Sequence, residues 1–167
     1  MLIVFSGLPG TGKTTIAQAL ARQIGAVYLR IDVIEQALRN ANILVRDVGA
    51  SGYEVANALA LSNLQLGHTV IADCVNPVKE SREAWQQIAA MAGVVLLDIQ
   101  VICSDPHEHQ RRVETRTGDI AGLTPPTWQS VLAHEYEPWD VWTLDTALIS
   151  PAQAVEALLA RISAPGS

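Results

Sequence analysis

Eight consecutive residues, Gly7-Leu8-Pro9-Gly10-Thr11-Gly12-Lys13-Thr14, carry a spacing from which phosphate chemistry follows. Gly7 and Gly12 bracket four residues, and lysine and threonine come directly after. Glycines let such a loop curl until its backbone N–H groups converge on a phosphate, and the helix that follows adds unpaired donors and a positive dipole end. In this pattern Lys13 bridges the β- and γ-phosphates of a triphosphate and the Thr14 hydroxyl takes a place on Mg²⁺. The cradle is read as Gly7, Leu8, Pro9, Gly10, Thr11, Gly12, Lys13, Thr14 and Thr15.

Further groups suit the same chemistry. Asp32 and Asp73 each close an apolar, strand-like run, and ligands of a parallel sheet sit outside the carboxyl ends of its strands. Two carboxylates beside a triphosphate divide naturally into one that serves the metal and one that takes the proton of an attacking hydroxyl. Asp73 is assigned to the metal with Thr14, and Asp32 to the base. Glu35, Asp73 and Arg82 join Asp32 as acceptor contacts. Which carboxylate takes which duty stays open, as does a plain capping role for Asp32. Arg112 and Arg116, four apart on one helical face, would bring cations to a transition state that spreads negative charge over phosphoryl oxygens. The glycines that follow suggest a mobile lid over about residues 108–124; the competing reading is a solvated basic face paired with Glu108 and Glu114.

These groups need a scaffold. The chain has 167 residues, 49% of them hydrophobic and 17% charged, enough for one domain, 1–167, with a proper core. Apolar runs at Leu2–Phe5, Val27–Ile31, His68–Ala72, Val94–Cys103 and Val141–Leu144 read as strands buried on both faces. Helical patterns alternate with them, which predicts an α/β fold with a parallel sheet and helices on both sides. Val55, Leu59, Ser62 and Leu66 read as the buried face of a helix opened by a Ser51–Glu54 capping box. Four helix starts are placed at Asn76-Pro77, Asp105-Pro106, Thr124-Pro125 and Ser150-Pro151, with Glu108 at a reciprocal capping position. Residues from Arg39 to Glu54 are expected to line an acceptor pocket, and residues 164–167 to fray.

Composition narrows the partners. A net charge of −6 counts against broad nucleic-acid binding. No run approaches a membrane span. Cys74 and Cys103 sit in or beside buried strands and read as packing thiols of a reducing cytoplasm. None of the four histidines has a partner at zinc spacing, and all read as structural or solvent-facing.

Taken together, these residues resemble the small P-loop kinases of the AAA_33-type group, relatives of the shikimate, gluconate and adenylylsulfate kinases. The likeness rests on Gly7 to Thr14, on Tyr28-Leu29-Arg30-Ile31-Asp32, and on Val70 to Pro77 with Arg82 following. It continues through Cys103-Ser104-Asp105-Pro106 to Arg112 and Arg116, and through Pro126-Thr127-Trp128 to Tyr136-Glu137-Pro138-Trp139. It implies a P-loop NTPase sandwich of five strands in the order 2-3-1-4-5, and ATP with Mg²⁺ as cofactors. The implied reaction is transfer of the γ-phosphoryl group to an acceptor hydroxyl, and the acceptor is read as a small molecule; the chain itself is expected to be a monomer or homodimer. The segment around Asp32 also resembles the kinase domain of polynucleotide 5′-hydroxyl kinases, where an arginine commonly stands in the place of Glu35; a nucleic-acid 5′ end is thus the alternative acceptor. A nucleotide-dependent switch or ATPase without an acceptor is the third reading. Asp119 to Gly122 fits Asp-x-x-Gly but ends no strand, and no guanine-reading motif accompanies it.

Overall fold

The computed structural model describes residues 1–42 and 49–163. The fraying expected at 164–167, and the middle of the expected acceptor segment, lie outside the described residues. Five strands, β1 (Leu2–Ser6), β2 (Val27–Arg30), β3 (Val70–Asp73), β4 (Leu96–Ile102) and β5 (Thr143–Asp145), form one parallel sheet. Their order is β2-β3-β1-β4-β5, as the resemblance implies. Seven helices lie among the described residues: α1 (Lys13–Ile24), α2 (Ile31–Asn40), α3 (Ser51–Gln65), α4 (Lys79–Ala92), α5 (Pro106–Thr115), α6 (Trp128–Leu132) and α7 (Pro151–Ser163).

Strand alternation divides the core in two. Ile3 and Phe5 of β1 meet Ile16 and Leu20 of α1 and Leu158 of α7, while Leu2 and Val4 meet Trp85 and Ile88 of α4 and Ala60 of α3. β1 is buried throughout because helices cover it on both faces, which explains its unbroken apolar run. Register then sets the site. Phe5 pairs with Asp73, and Arg30 pairs with Asp73 from the other side, so three strand ends finish level with one another.

Several local expectations are corrected. β2 ends at Arg30, and Ile31 already belongs to α2, so Asp32 stands in the first turn of a helix rather than at a strand end. β3 begins at Val70 rather than at His68, and includes Asp73. In α3 the packed residues are Gly52, Ala56, Ala60 and Leu64, whereas Leu59 is 43% and Leu66 74% exposed. That helix is apolar on both sides, so periodicity alone had no face to choose. Small residues won because they let the helix approach its neighbours closely. Its start is Ala50, with no side-chain cap, so the Ser51–Glu54 capping box does not form.

Two of the four proline starts hold. Asp105 caps α5, accepting from the N–H groups of His107 and Glu108, and Ser150 caps the N–H of Gln153 in α7. Asn76 instead takes a left-handed conformation at φ 54°, and α4 starts at Lys79. Thr124-Pro125 precedes α6 without opening it; Thr127 is the cap. Glu108 does not reach back to a capping position because Arg111 and Arg112 both take its carboxylate, each at 2.7 Å.

Candidate functional site

The loop between β1 and α1 is held from several directions. Gly7 N–H donates to the Val75 carbonyl at 3.1 Å, and the Thr11 hydroxyl closes the turn onto Leu8 O at 3.0 Å. The Thr146 hydroxyl donates to Thr11 O at 2.7 Å, and His109 Nε2 donates to Pro9 O at 2.8 Å. Glycine is compulsory at two points. A Cβ on Gly7 would lie 2.3 Å from the Val101 carbonyl oxygen, and one on Gly10, at φ 83°, would lie 2.5 Å from the Val113 side chain. α1 opens at Gly12 with no side-chain cap, which leaves its first N–H groups for an anion. Gly7, Leu8 and Thr11 shape the loop from behind. Pro9, Gly10, Gly12, Lys13, Thr14 and Thr15 face a cleft of about 700 Å³. Lys13 is 8% exposed and lines that cleft.

At the foot of the cradle, Thr14 Oγ1 donates to Asp73 Oδ2 at 2.7 Å. Tyr28 donates to the same oxygen at 2.6 Å, and burial followed by the neighbouring Asp73 charge pushes its hydroxyl well up from the usual tyrosine value. Tyr28 therefore stays a protonated donor. Asp73 is 2% exposed behind these two side chains. Asp73 does not line the cleft itself but stands directly beneath Thr14, which does. A threonine hydroxyl beside a carboxylate is an oxygen donor set suited to a hard divalent cation carried by phosphates. Among the described residues no cluster of three His, Cys, Asp or Glu forms a separate metal site.

Asp32 and Glu35 both line the cleft, one turn apart on α2. The Asp32 side chain is 44% exposed, with Arg30 Nη2 3.7 Å away. Glu35 lies 3.5 Å from Arg39 and close over Gly52. Arg112 and Arg116 line the same cleft. Arg112 donates to Thr146 Oγ1 at 2.7 Å and to Thr146 O at 3.1 Å, and its Nη1 stands 3.8 Å from where a Gly12 Cβ would be. Its Nε also pairs with Glu108 at 2.7 Å, as the competing reading expected, while Thr146 relays the helix to the loop by donating to Thr11 O. Arg116 ends α5 with extended backbone.

Arg82 is not brought to the site. It is buried, and its guanidinium bonds the carbonyls of Asn76, Pro77, Glu137 and Pro138 while lying over the rings of Tyr136 and Trp139. Those bonds tie the β3–α4 connection to residues 137–138 and leave Arg82 no reach towards an acceptor.

Three further side chains line or brace the cleft. Arg30, 6% exposed, faces Asp32, Asp73 and Asp119, and makes a two-pronged bond to Asp119. That bond holds the Asp119 carboxyl below the ordinary aspartate range. Asp119 itself had been weighed only against a guanine-nucleotide pattern. His109, buried against Pro9 O and set edge-on to Trp128 at 5.0 Å, joins α5 and α6 to the loop. For Arg30 one signal was available: a charged residue inside an otherwise apolar strand, two residues before a candidate catalytic acid.

An uncharacterized protein of Mycobacterium tuberculosis is 27% identical over 160 residues, 87% of this chain and 32% of the relative. The chain thus spans about a third of the length of the curated relatives it matches. Among solved structures, a gluconokinase from Sinorhizobium meliloti superposes with a TM-score of 0.66 at 20% identity, covering 96% of this chain and 92% of that one. The Mycobacterium tuberculosis APS kinase CysC, in complex with AMPPNP and APS, gives 0.66 at 17% identity, covering 98% and 97%. Both likenesses are of fold. The AAA_33 family, described as an AAA domain, matches residues 2–132. With its phosphate loop, its 2-3-1-4-5 sheet and that match across most of its length, the chain belongs to the AAA_33 family.

Proposed function

We propose that the protein is an ATP-dependent kinase that moves the γ-phosphoryl group to a hydroxyl of a small-molecule acceptor. The observation that carries this reading is the Thr14–Asp73 hydrogen bond at the foot of a cradle whose cleft also contains Asp32. Lys13 and the free N–H groups of α1 bind and orient the phosphates. Arg112 and Arg116 offset charge on the transferring group. Asp32 accepts the acceptor's hydroxyl proton as that oxygen bonds to the γ-phosphorus and the bond to the β-phosphate oxygen breaks, releasing ADP. Thr14 and Asp73 hold Mg²⁺, which neutralises phosphate charge when bound.

Residues 108–124 serve in this reading as the lid of a single domain, closing over the reacting groups and excluding water. A small neutral or cationic acceptor fits better than a nucleic-acid 5′-hydroxyl end with its adjoining phosphodiester. Asp119 already occupies the terminal nitrogens of Arg30, and Glu35 and Asp32 add negative charge to the same wall. Among the described residues no helix is long and apolar enough to cross a membrane. The test is transfer of labelled γ-phosphate to a library of sugars, amino sugars and hydroxylated small molecules, with a 5′-hydroxyl oligonucleotide alongside. Retained ATP with no labelled product from any acceptor would overturn the kinase assignment in favour of a switch.

A further inference from the structure

Arg30 is nine-tenths buried and meets three carboxylates from three separate pieces of chain. These are Asp73 of β3 at 4.0 Å, Asp32 of α2 at 3.7 Å, and Asp119 from the connection between α5 and α6. The hydrogen bonds are distributed unequally. Nη1 and Nη2 both donate to Asp119, whereas Asp32 stands beyond hydrogen-bond length from Nη2. A second contact supports the same docking. Gly122 lies against α2, so close that an added Cβ would be 3.1 Å from Gln36 Nε2 and 3.7 Å from Asn40 Oδ1. The segment carrying Asp119 and Gly122 is therefore seated on the end of β2 and on α2, the same elements that present Asp32.

This arrangement has a consequence for the base of the proposed kinase, on which the inference rests. A guanidinium in a low-dielectric setting pairs with whichever carboxylate is available, and a paired carboxylate is a weaker proton acceptor. While Asp119 is seated, it takes the hydrogen bonds of both terminal nitrogens, and Asp32 meets Arg30 only as an ion pair at 3.7 Å without a hydrogen bond. Once Asp119 leaves, Nη2 is free to close the 3.7 Å gap and bind Asp32. We propose that Asp119 and Arg30 are positioning residues: docking of Asp119 on Arg30 both closes the 116–122 segment over the cleft and keeps Asp32 free of a hydrogen bond from Arg30, ready to accept a proton. Proton acceptance is thereby coupled to closure. An open enzyme holds nucleotide with its base sequestered, which guards ATP against transfer to water.

The test uses the full chain with Asp119→Ala, Asp119→Glu and Arg30→Lys. Trypsin cleavage after Arg116 reports seating and requires no acceptor; it is followed with Mg²⁺ and a non-hydrolysable ATP analogue. Asp119→Ala is expected to speed that cleavage about ten-fold, and Asp119→Glu to return it to within about three-fold of the parent. Asp119 is half exposed, so the melting temperature should stay within a few degrees, and Arg30→Lys, which keeps the charge but loses the fork, should cleave at an intermediate rate. Parent-like cleavage in Asp119→Ala overturns the docking. On whichever acceptor the library yields, Asp119→Ala should lower kcat about ten-fold or more with the ATP KM unchanged. An unchanged kcat overturns the coupling. A chain that transfers phosphate to nothing fails the kinase assignment and leaves the cleavage result standing, so the two failures are separable.

Discussion

Thr14 and Asp73, 59 residues apart in the chain, share a 2.7 Å hydrogen bond because β1 and β3 pair with Phe5 opposite Asp73. The phosphate loop springs from the end of one strand and the carboxylate closes its neighbour, so register alone joins them. Removing the charge from this pair is expected to weaken Mg²⁺-dependent binding of ATP more than binding of ATP alone. For Asp73→Asn, titration of an ATP analogue with Mg²⁺ and then with EDTA should show the two affinities drawing together, and turnover should fall about a hundred-fold or more. An undiminished response to Mg²⁺ would place the ion elsewhere.

Asp32→Asn keeps the side chain's size and removes its basicity. Turnover is expected to fall by about 10² to 10⁴ while ATP affinity stays within about three-fold. Equal losses in both would move Asp32 to metal or structural duty. Steady-state kinetics and equilibrium nucleotide binding measure the two quantities separately.

Arg82→Ala tests the reassignment of that arginine from acceptor contact to structural tie. Four backbone carbonyls lose their donor and two aromatic rings lose the cation above them. The expected cost is about 3 kcal/mol, seen as a melting temperature lower by about 6–12 °C. Full thermal stability with lost turnover would return Arg82 to the acceptor.

Asp98 on β4 gives a pH signature. Burial, only partly offset by the Arg82 charge, raises its carboxyl from 3.8 to about 6, and its Oδ1 has no hydrogen-bond partner. An acid whose pKa is raised on folding binds more protons in the folded state. Its contribution is therefore unfavourable, growing as pH rises from about 4 through about 6 and constant above that. Asp98→Asn is expected to stabilise the protein by about 1–2 kcal/mol at pH 8, after discounting for residual exposure, and by almost nothing at pH 4. Thermal melts of both proteins at the two pH values check the sign. A gain at pH 4 that vanishes at pH 8 would contradict it.

The cradle was legible because its parts are neighbours in the chain and each has a local reason, from the glycines to Lys13 and Thr14. Sheet order was legible too, but through resemblance, since apolar strands carry no mark of which neighbour they pair with. What could not be read depended on distant partners. Arg30 gained its meaning from Asp119, 89 residues away, and Arg82 lost its expected one to Glu137 and Pro138. Asp32 was placed at a strand end because Val27–Ile31 is apolar enough to continue. The structure starts the helix one residue sooner, which sets Asp32 and Glu35 on one wall.

The inner surface of α3 consists of Gly52, Ala56 and Ala60, with Leu64 as its one larger member. Its spacing from neighbouring elements is consequently fixed by main-chain approach rather than by side-chain bulk. Shaving atoms there leaves almost nothing to refill, whereas any enlargement has nowhere to go. A saturation scan should find α3 forgiving of truncation and hostile to growth, the reverse of α1, where Ile16 and Leu20 fill space that a smaller residue would vacate. Substitutions on the outer side, where Leu59 faces water, should by contrast be tolerated at either size.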